Sequence, residues 1–495
     1  AAERLHLVRA ILPNAGFDPP VTEPERFASR SIGSDEAAVE VVRGWMQGTG
    51  PTSSARLAGR IGLAHAVIDA ALVRLEAEGV VLRGRFTGST ADLEWCERRL
   101  LARIHRTVVG RLRREIEPVS AANLVRFLLR WQHVQPGTQL HGREGVAEVI
   151  GQLQGLELPA PAWEEHVLPA RIRGYSAGDL EDLCLSGVVA WGRLVPGNGG
   201  EESAGNGAGN GNRNGKRRGQ GTTRNTPISF VLREDLGTLL PTDEATVRPL
   251  SSAADEVLAH LRDRGASFLA EIARASGRMP AEVENALWEL VSAGLVSGDG
   301  VAGLRQLLHR GRQVRRPRLR TLPVAHGVRR PVAMGRWALW AGSVEPAEPT
   351  DRNEAIARQL LRRYGVVFRE LLARERIAPP WRILLDLYRR WEMRGEIRGG
   401  RFVAGFVGEQ FALPEAVEAL RSVRRSNDSE EIIVSATDPL NVVGILLPGP
   451  RIPQSSGLAI ALRNGEQIDA GPLGALRSRL QRPGRESAPL GRTNT

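Results

Sequence analysis

The sequence predicts a mainly α-helical α+β fold, built as a string of tandem winged-helix modules with a small β-barrel or sheet module. Three observations support this prediction. One segment recurs in an ungapped register, its outline recurs twice more at lower fidelity, and short stretches rich in Val, Ile and Trp lie between these segments. At roughly 150 residues per domain, the 495 residues leave room for three or four domains.

The internal repeat aligns Gly50–Val81 with Gly265–Val296 at a constant offset of 215 positions. Each copy has a short helical pattern, a central glycine, and a longer helical pattern that ends at a second glycine. An apolar strand follows, which is Val80 to Leu82 in the first copy. This order of elements is typical of a helix-turn-helix with a β-wing. The matched positions are Leu57 with Ile272, Ala58 with Ala273, Gly62 with Gly277, Ile68 with Val283, Leu72 with Leu287, Leu75 with Leu290, and Gly79 with Gly294.

Two further segments end in the same glycine-then-strand pattern and predict two more winged helices, at residues 176–193 and 380–398. Strand-like stretches are expected at Ile228–Leu232, Arg318–Trp340 and Glu431–Leu447. The predicted organisation is an N-terminal segment that continues a preceding domain (1–34), a winged helix (35–90), a winged-helix-like module (91–195), a disordered Gly/Asn-rich insertion (196–226), a winged helix (227–304), an Arg-rich β module (305–345), a winged helix (346–412), a β-rich module (413–475) and a disordered tail (476–495).

The charge balance favours a polyanionic partner. Basic residues outnumber acidic ones by 67 to 56, for a formal net charge of +11, and Lys216 is the only lysine. A GC-rich genome would also favour Arg over Lys, but it would not remove the excess charge. Because the planar guanidinium pairs with two phosphate oxygens at once, DNA is the expected partner.

Several other classes of protein are not expected. No stretch of 18 apolar residues and no signal peptide is recognisable, so a cytoplasmic protein without membrane contact is predicted. Cys96 and Cys184 stand alone in apolar surroundings, which indicates packing residues and neither a disulfide framework nor a metal site.

The DNA contacts are expected outside the helix-turn-helix faces. The second helices of the two closest repeats, near residues 64–78 and 280–293, carry mainly acidic side chains where base-reading residues would stand. Those two modules are therefore interpreted as packing or oligomerisation units. Residues 301–344 contain ten arginines and no acidic residue, with Trp337 and Trp340 near the end. Arginines for phosphates beside aromatic rings for bases are typical of a single-strand binding surface, and the alternative is a solvated connector with core tryptophans. A second arginine cluster at 98–114 is as compatible with a salt-bridged helix face as with phosphate contacts. The predicted DNA-binding residues are Arg305, Arg310, Arg312, Arg315, Arg316, Arg318, Arg320, Arg329, Arg330, Arg336 and Trp337.

The sequence offers no recognisable ATPase motif. The run GNRNGKRR within the insertion lacks the spacing and the final Ser or Thr of a phosphate-binding loop. Asp35 and Glu36, which resemble part of a helicase motif, are better explained as the acidic first turn of a helix. No cofactor is therefore expected in this fragment.

Six runs of the sequence are long enough to be specific: EWCERRLLARIHR (94–106), RREIEPVSAANLVRFLLRWQHV (113–134), WEEHVLPARIRGY (163–175), RRYGVVFRELLARE (362–375), EIRGGRFVAGFVGEQFALPEAV (396–417) and DPLNVVGILLPGPRIP (438–453). These runs resemble the C-terminal domain of the Lhr (large helicase-related) family of DNA helicases. The resemblance implies winged helices with a β-barrel module that self-associate into a homo-oligomer, a tetramer, in a superfamily 2 helicase acting in DNA repair on the bacterial nucleoid. It also implies a helicase core N-terminal to Ala1 in the same polypeptide, with ATP and Mg as cofactors of that core.

That domain in turn resembles DNA glycosylases of the AlkZ type, whose chemistry depends on a Gln-apolar-Gln motif. Counting back from LPAR at 168–171 places this motif on Glu157, Leu158 and Pro159, with a carboxylate in place of the first glutamine. A literal Gln-apolar-Gln occurs at Gln152 and Gln154. The resemblance implies Glu157 as the catalytic candidate, with Gln152 and Gln154 as second choices, to orient a water or stabilise the cationic sugar of a flipped nucleotide.

Two functions therefore compete. The first is a DNA-associated oligomerisation module of an Lhr-type helicase, and the alternative is a glycosylase that removes damaged or deaminated bases. A transcription regulator is disfavoured because the reading helices of the closest repeats lack base-reading side chains.

Overall fold

A computed structural model describes most of the chain as helices joined by short sheets, in agreement with the predicted α+β class. Within the described ranges, no helix is both long and apolar enough to cross a membrane. The chain divides into two compact units, Ala1–Glu115 and Ile116–Thr495. The described residues are 2–17, 19–24, 32–87, 92–114, 117–195, 226–241, 249–305, 335–342, 344, 346–425, 430–455 and 457–480.

The first unit contains one winged helix. The side chain of Ser53 caps the second helix of the fold by accepting a hydrogen bond from the N–H of Arg56, and Gly62 ends that helix at a φ of 78°. Its strands pair as an antiparallel hairpin, and a buried apolar cluster that includes Leu57, Leu72 and Trp95 forms its core. The elements are α1 (Leu5–Ile11), α2 (Ser34–Met46), α3 (Ser54–Ile61), α4 (His65–Ala77), β1 (Val81–Gly84), β2 (Glu94–Glu97) and α5 (Arg98–Arg114).

The second unit begins with a helical module that contains a small sheet. The strand that completes this sheet comes after residues 196–226 in the sequence. Strand β7 (Pro227–Leu232) pairs antiparallel with both β6 (Val189–Gly192) and β4 (Leu158–Pro159), which confirms the strand expected at Ile228–Leu232. A single π-helical turn, Trp163–Val167, interrupts the helices between them. The elements before β7 are α6 (Ala121–Trp131), β3 (Leu140–His141), α7 (Gly142–Leu153), β4, α8 (Ala160–Ala162), α9 (Leu168–Arg171), β5 (Ile172–Arg173), α10 (Ala177–Leu185) and β6.

The second copy of the repeat follows, and it folds as the first copy does. After α11 (Leu236–Leu239) come α12 (Ser252–Arg264), α13 (Leu269–Ser276), α14 (Pro280–Ser292), β8 (Val296–Gly298) and β9 (Trp337–Leu339). Helices α13 and α14 begin and end 215 positions after α3 and α4. Leu72 and Leu287 are each 0% exposed at matched positions. The predicted equivalence of the two stretches is confirmed.

The equivalence extends to the wings. In the first copy the backbone of Thr52 pairs with that of Trp95, and in the second Ser267 pairs with Trp337. Strand β9 pairs with β8 just as β2 pairs with β1. Residues 337–339 were expected in an Arg-rich β module at 305–345. They are instead the second wing strand of the winged helix formed by the second copy of the repeat. Residues 306–334 of that expected module lie outside the described residues.

The remaining elements form another winged helix and a small sheet. The winged helix comprises α15 (Pro349–Tyr364), β10 (Val366–Val367), the 3₁₀ helix Arg369–Arg374, α16 (Trp381–Arg394), β11 (Arg398–Gly400) and β12 (Gln410–Ala412), with sheet order β10-β12-β11. Then follow α17 (Pro414–Arg425), β13 (Glu431–Ser435), β14 (Leu458–Arg463), β15 (Glu466–Pro472) and α18 (Leu473–Leu480).

The β-rich module is an antiparallel sheet of order β13-β14-β15, and the described residues contain no closed barrel. Of the two expected forms, barrel or sheet, the structure therefore has the sheet. The strand expected at Glu431–Leu447 ends at Ser435, and the buried residues after it form turns. Asn441 explains this change, because its side chain donates hydrogen bonds to the carbonyls of Ala436 and Ile452 and holds a loop closed.

Candidate nucleic-acid interface and buried polar sites

Arg305, the first of the predicted DNA-binding arginines, is engaged within the protein. Its guanidinium lies 2.8 Å from Glu164 and 2.9 Å from Glu181, and it also donates to the carbonyl of Ala177. Burial lowers the pKa of Arg305, but the hydrogen bonds and charges of Glu164 and Glu181 outweigh burial and raise it. With two carboxylates already bound, Arg305 stabilises the packing of its own module and does not present a free charge to phosphate.

Trp337 is a core residue. It is 1% exposed, and its ring makes edge contacts with Trp191 and Trp288 at centroid distances of 6.3 and 5.3 Å. The expectation that Trp337 stacks on bases is wrong, because its wing strand turns the ring into the apolar core. Its neighbour Arg336 is exposed and pairs with Asp299 at 2.9 Å. The other predicted arginines, Arg310, Arg312, Arg315, Arg316, Arg318, Arg320, Arg329 and Arg330, lie outside the described residues.

The two glutamines of the literal Gln-apolar-Gln run are buried at the end of α7. The amide of Gln152 donates to the carbonyl of Trp131 at 2.8 Å, and its Oε1 is buried with no partner among the described residues. Gln154 donates to Asp235 at 2.6 Å and accepts from the N–H of Leu232 at 3.0 Å. The contacts of Gln154 join α7 to the end of β7, so it serves a structural role in this arrangement.

Glu157 lies in the loop before β4, with its side chain 1% exposed. Its Oε1 accepts hydrogen bonds from the N–H groups of Leu194 and Val195 at 2.7 and 2.9 Å, and Arg376 lies 3.3 Å from Oε2. Burial raises the pKa of Glu157, and the two N–H donors and the nearby arginines only partly oppose this rise. Among the described residues, the side chain of Glu157 makes no hydrogen bond to Gln152 or Gln154.

A buried polar junction next to these glutamines was not foreseen from the sequence. Arg363 is 1% exposed, pairs with Glu375, and donates to the backbone carbonyl of Gln154. The hydroxyl of Tyr364 donates to Glu375 at 2.7 Å, and burial raises the pKa of Tyr364. Gln359 donates to the carbonyls of Gly151 and Gln152. Helix α15 is thereby bonded to the C-terminal end of α7 through side chains that leave no exposed charge.

A second buried ion pair joins α9 to the sheet module. The guanidinium of Arg171 makes two hydrogen bonds to Asp438, at 2.7 and 2.9 Å, and a third to Gln132 at 3.1 Å. The side chains of Arg171 and Asp438 are 0% and 2% exposed. Both lie in runs quoted for the family resemblance, LPAR and DPLNVVG, but only the fold brings them together.

The helix-turn-helix faces of the two repeats are poor in free basic groups. On α4, Arg74 pairs with Glu78 at 3.5 Å. On α14, Glu282 and Asn285 are exposed, and the carboxylate of Glu282 caps its own helix by accepting from the N–H of Met279. Both cysteines are free and buried, and burial raises the pKa of Cys184 to about 12, as expected for packing residues.

Comparison with known proteins identifies two of these modules. Residues 119–206 match the model of the third winged-helix domain of large helicase-related proteins, and residues 346–432 match that of the fourth. The two weaker copies predicted from the sequence lie within these matches.

Longer relatives align along nearly the whole chain. The chain is 31% identical over 481 residues to the "Lhr helicase/ probable uracil glycosylase" of Mycolicibacterium smegmatis, covering 92% of this chain and 30% of that protein. It is 29% identical over 434 residues to the "Lhr helicase/uracil glycosylase" of Escherichia coli, covering 80% of this chain and 26% of that protein. The chain thus spans less than a third of the length of these relatives.

Among solved structures, the DNA glycosylase AlkZ of Streptomyces sahachiroi superimposes with a TM-score of 0.43 at 13% identity, covering 75% of this chain and 93% of that one. The two family models assign winged-helix domains to ranges in which the structure has helices and short antiparallel strands. Two winged-helix domains of the chain thus match the large helicase-related (Lhr) family, and relatives named as Lhr helicases align along most of the chain.

Proposed function

We propose that this chain is the DNA-associated, oligomerising region of an Lhr-type ATP-dependent superfamily 2 helicase that acts in DNA repair, with the helicase core elsewhere in the same polypeptide. The observation that carries the proposal is the alignment of 92% of the chain to under a third of a relative named as a helicase. The net charge of +11 supports a polyanionic partner. ATP and Mg would serve the helicase core, and no cofactor is proposed for this region.

Binding to DNA is tested by fluorescence anisotropy of a labelled duplex across a salt series. If arginines neutralise phosphates, the observed association constant falls linearly on a double-logarithmic plot, because bound counterions are released. Binding that does not change with salt, or no binding at 50 mM salt, would overturn the DNA-associated role.

Self-association is tested separately by light scattering on the purified chain. A tetramer would have about four times the 53.8 kDa mass of one chain. A single species at the mass of one chain over the whole concentration range would rule out oligomerisation, while the DNA-binding result would stand on its own.

A second candidate function is excision of uracil from DNA by this region. It is supported by the names of the two long relatives and by a buried carboxylate, Glu157, whose pKa is raised by burial. A carboxyl group held in such a site can stabilise a developing positive charge on a sugar or orient a water. For either role, the flipped nucleotide would have to displace Arg376 or the backbone donors that now occupy Glu157.

Uracil excision is tested with a labelled uracil-containing strand, followed by alkaline cleavage of abasic sites. We expect product from the native chain and none from Glu157→Gln. The Gln152→Ala variant tests the second choice, and Glu148→Gln, an exposed carboxylate on α7, is the matched control. Absence of product from the native chain would discard the enzyme hypothesis.

A further inference from the structure

The fourth winged helix, within residues 346–432, differs from the two closest repeats in the charge of its reading helix. The reading helix is the second helix of the helix-turn-helix, which in this module is α16. The exposed face of α16 carries four arginines, Arg382, Arg389, Arg390 and Arg394, with Asp386 as its exposed acidic residue. A helix of this length extends about 20 Å. Three of these arginines pair with glutamates, namely Arg389 with Glu409, Arg390 with Glu354 and Arg394 with Glu396. Arg382 is the arginine of this face that has no ion pair with another described residue.

Three arginines on and beside this helix are free to bind an anion. Arg382 on the first turn of α16, Arg398 on β11 and Arg401 at the start of the following loop are all exposed. No ion pair or side-chain hydrogen bond joins any of them to another described residue. A bound phosphate backbone would supply each of these guanidinium groups with an opposite charge.

The loop between β11 and β12, residues 401–409, is a wing with a fixed stem. The side chain of Gln410, 1% exposed, accepts hydrogen bonds from the N–H groups of Phe402 and Val403 and donates to the carbonyl of Val403. Glu409 makes two hydrogen bonds of 3.0 Å to Arg389, which tie the wing to α16. The orientation of the wing relative to the reading helix is thus set by the protein itself.

The tip of the wing presents an apolar side chain to solvent. Val407 is 82% exposed, the most exposed of the large hydrophobic residues described. It lies between Gly405 and Gly408, which have φ values of 89° and 103°, while the adjacent Phe406 turns inward against Phe368. Exposure of this valine gains nothing for folding, and DNA-binding proteins that enter the minor groove insert apolar side chains between base steps.

We propose that α16 and the wing of the fourth winged helix form a binding face for duplex DNA. Arg382, Arg398 and Arg401 contact backbone phosphates, and Val407 enters the minor groove. This inference rests on the proposed association with DNA and assigns it to one module. The acidic or paired faces of the repeats leave α4 and α14 to packing, so the reading helices of one chain divide between two tasks.

The phosphate contacts are tested with the triple variant Arg382→Gln/Arg398→Gln/Arg401→Gln of the full chain. We expect affinity for a labelled duplex to fall tenfold or more, and the slope of log K against log salt to decrease by about 3, since each lost phosphate contact removes about one unit. The matched control is Arg262→Gln/Arg264→Gln/Arg274→Gln, which changes three exposed arginines in the winged helix formed by the second copy of the repeat. Circular dichroism confirms that both variants fold.

The outcomes separate this inference from the broader proposal. If the native chain binds DNA and both triple variants bind equally well, the assignment to α16 and the wing is wrong and DNA association stands. If the native chain does not bind DNA, both fail. If the triple variant loses affinity only for single-stranded DNA, the face binds DNA but the assignment to a duplex is overturned.

The wedge is tested with a duplex that contains 2-aminopurine, whose fluorescence rises when it is unstacked. We expect the native chain to raise this fluorescence, and Val407→Ser to abolish the rise while leaving the salt slope unchanged. A Val407→Ser variant that gives the same rise, or a native chain that gives none, would refute insertion of Val407.

Discussion

Asp438 illustrates how a single buried residue in this protein depends on its partner. Its carboxylate accepts two hydrogen bonds from Arg171 and one from the N–H of Leu440, and almost no solvent reaches it. Removing one partner of such a pair leaves a buried charge uncompensated. We expect Asp438→Asn to lower the free energy of unfolding by about 3 kcal/mol, as measured by urea denaturation.

The control for this prediction is Glu418→Gln, which removes an exposed carboxylate paired with Arg421. An exposed pair contributes between 0 and about 1 kcal/mol, so the control should unfold almost as the native chain does. If both variants lose the same free energy of unfolding, Asp438→Asn does not leave Arg171 with a buried, uncompensated charge.

The environment of Glu157, another single residue, predicts that the stability of the folded chain depends on pH. Because burial raises the pKa of Glu157 in the folded chain above its unfolded value, the folded state binds the proton more tightly. The stability of the native chain relative to Glu157→Gln should therefore fall as the pH rises from the unfolded pKa, about 4.3, through the raised folded value. Denaturation of both proteins at a series of pH values measures the difference in their free energies of unfolding. If the native chain becomes more stable relative to Glu157→Gln as the pH rises, the prediction is wrong.

At the scale of the element, the turn between α3 and α4 depends on backbone conformation alone. Gly62 has a φ of 78°, and a Cβ added there would meet no atom within 4 Å, so strain is the whole effect of a substitution. We expect Gly62→Ala to destabilise the first unit by about 1 kcal/mol. Gly59→Ala, three residues earlier inside α3 with equally open surroundings, should instead stabilise it by about 0.5 to 1 kcal/mol. Opposite shifts in thermal unfolding are the expected signature, and shifts of the same sign would refute it.

Local patterns were enough to predict the elements of the repeat. Apolar spacing and glycine position fix a helix-turn-helix through contacts within one short segment, and so Leu57 and Ile272 take equivalent places 215 positions apart. The wing partner of β8 could not be predicted in the same way, because residues 299–336 separate it from β9 and the corresponding gap in the first copy is much shorter. The equivalence of Trp95 and Trp337 is visible only in the pairing of strands.

The candidate sites were harder to predict than the fold, for a related reason. Arg305 and Trp337 stand in a stretch whose composition suggests an exposed basic surface, yet Glu164 and Glu181, far away in sequence, neutralise one, and the core covers the other. The four arginines of α16 could have been found from the sequence by comparing the charge of the reading helices, but the sequence does not show that three of them are paired with glutamates. Composition shows how much charge a segment has, but only tertiary contacts show which charges are already paired.

At the scale of the whole molecule, the third and fourth winged-helix domains are packed as one body. Residues of α6, such as Phe127 and Leu128, share one apolar core with Leu360 and Tyr364 of α15. The buried junction of Arg363 with Glu375 and the backbone of Gln154 crosses the same boundary. Since both apolar and polar contacts link these domains, unfolding of one exposes groups that the other has buried.

This arrangement predicts that a change in one domain destabilises both. Glu375→Gln leaves Arg363 buried without its carboxylate, at a cost of about 3 kcal/mol, so exchange of globally protected amides should quicken by about 100-fold. Hydrogen-exchange mass spectrometry should show the same acceleration in peptides of α6 and of α15, because the two helices lose protection in one cooperative opening. Peptides of α4, whose side chains belong to a separate apolar core, serve as the internal reference. Acceleration confined to α15 would mean that the two domains open independently, and the shared core would then be a contact between separately folding domains.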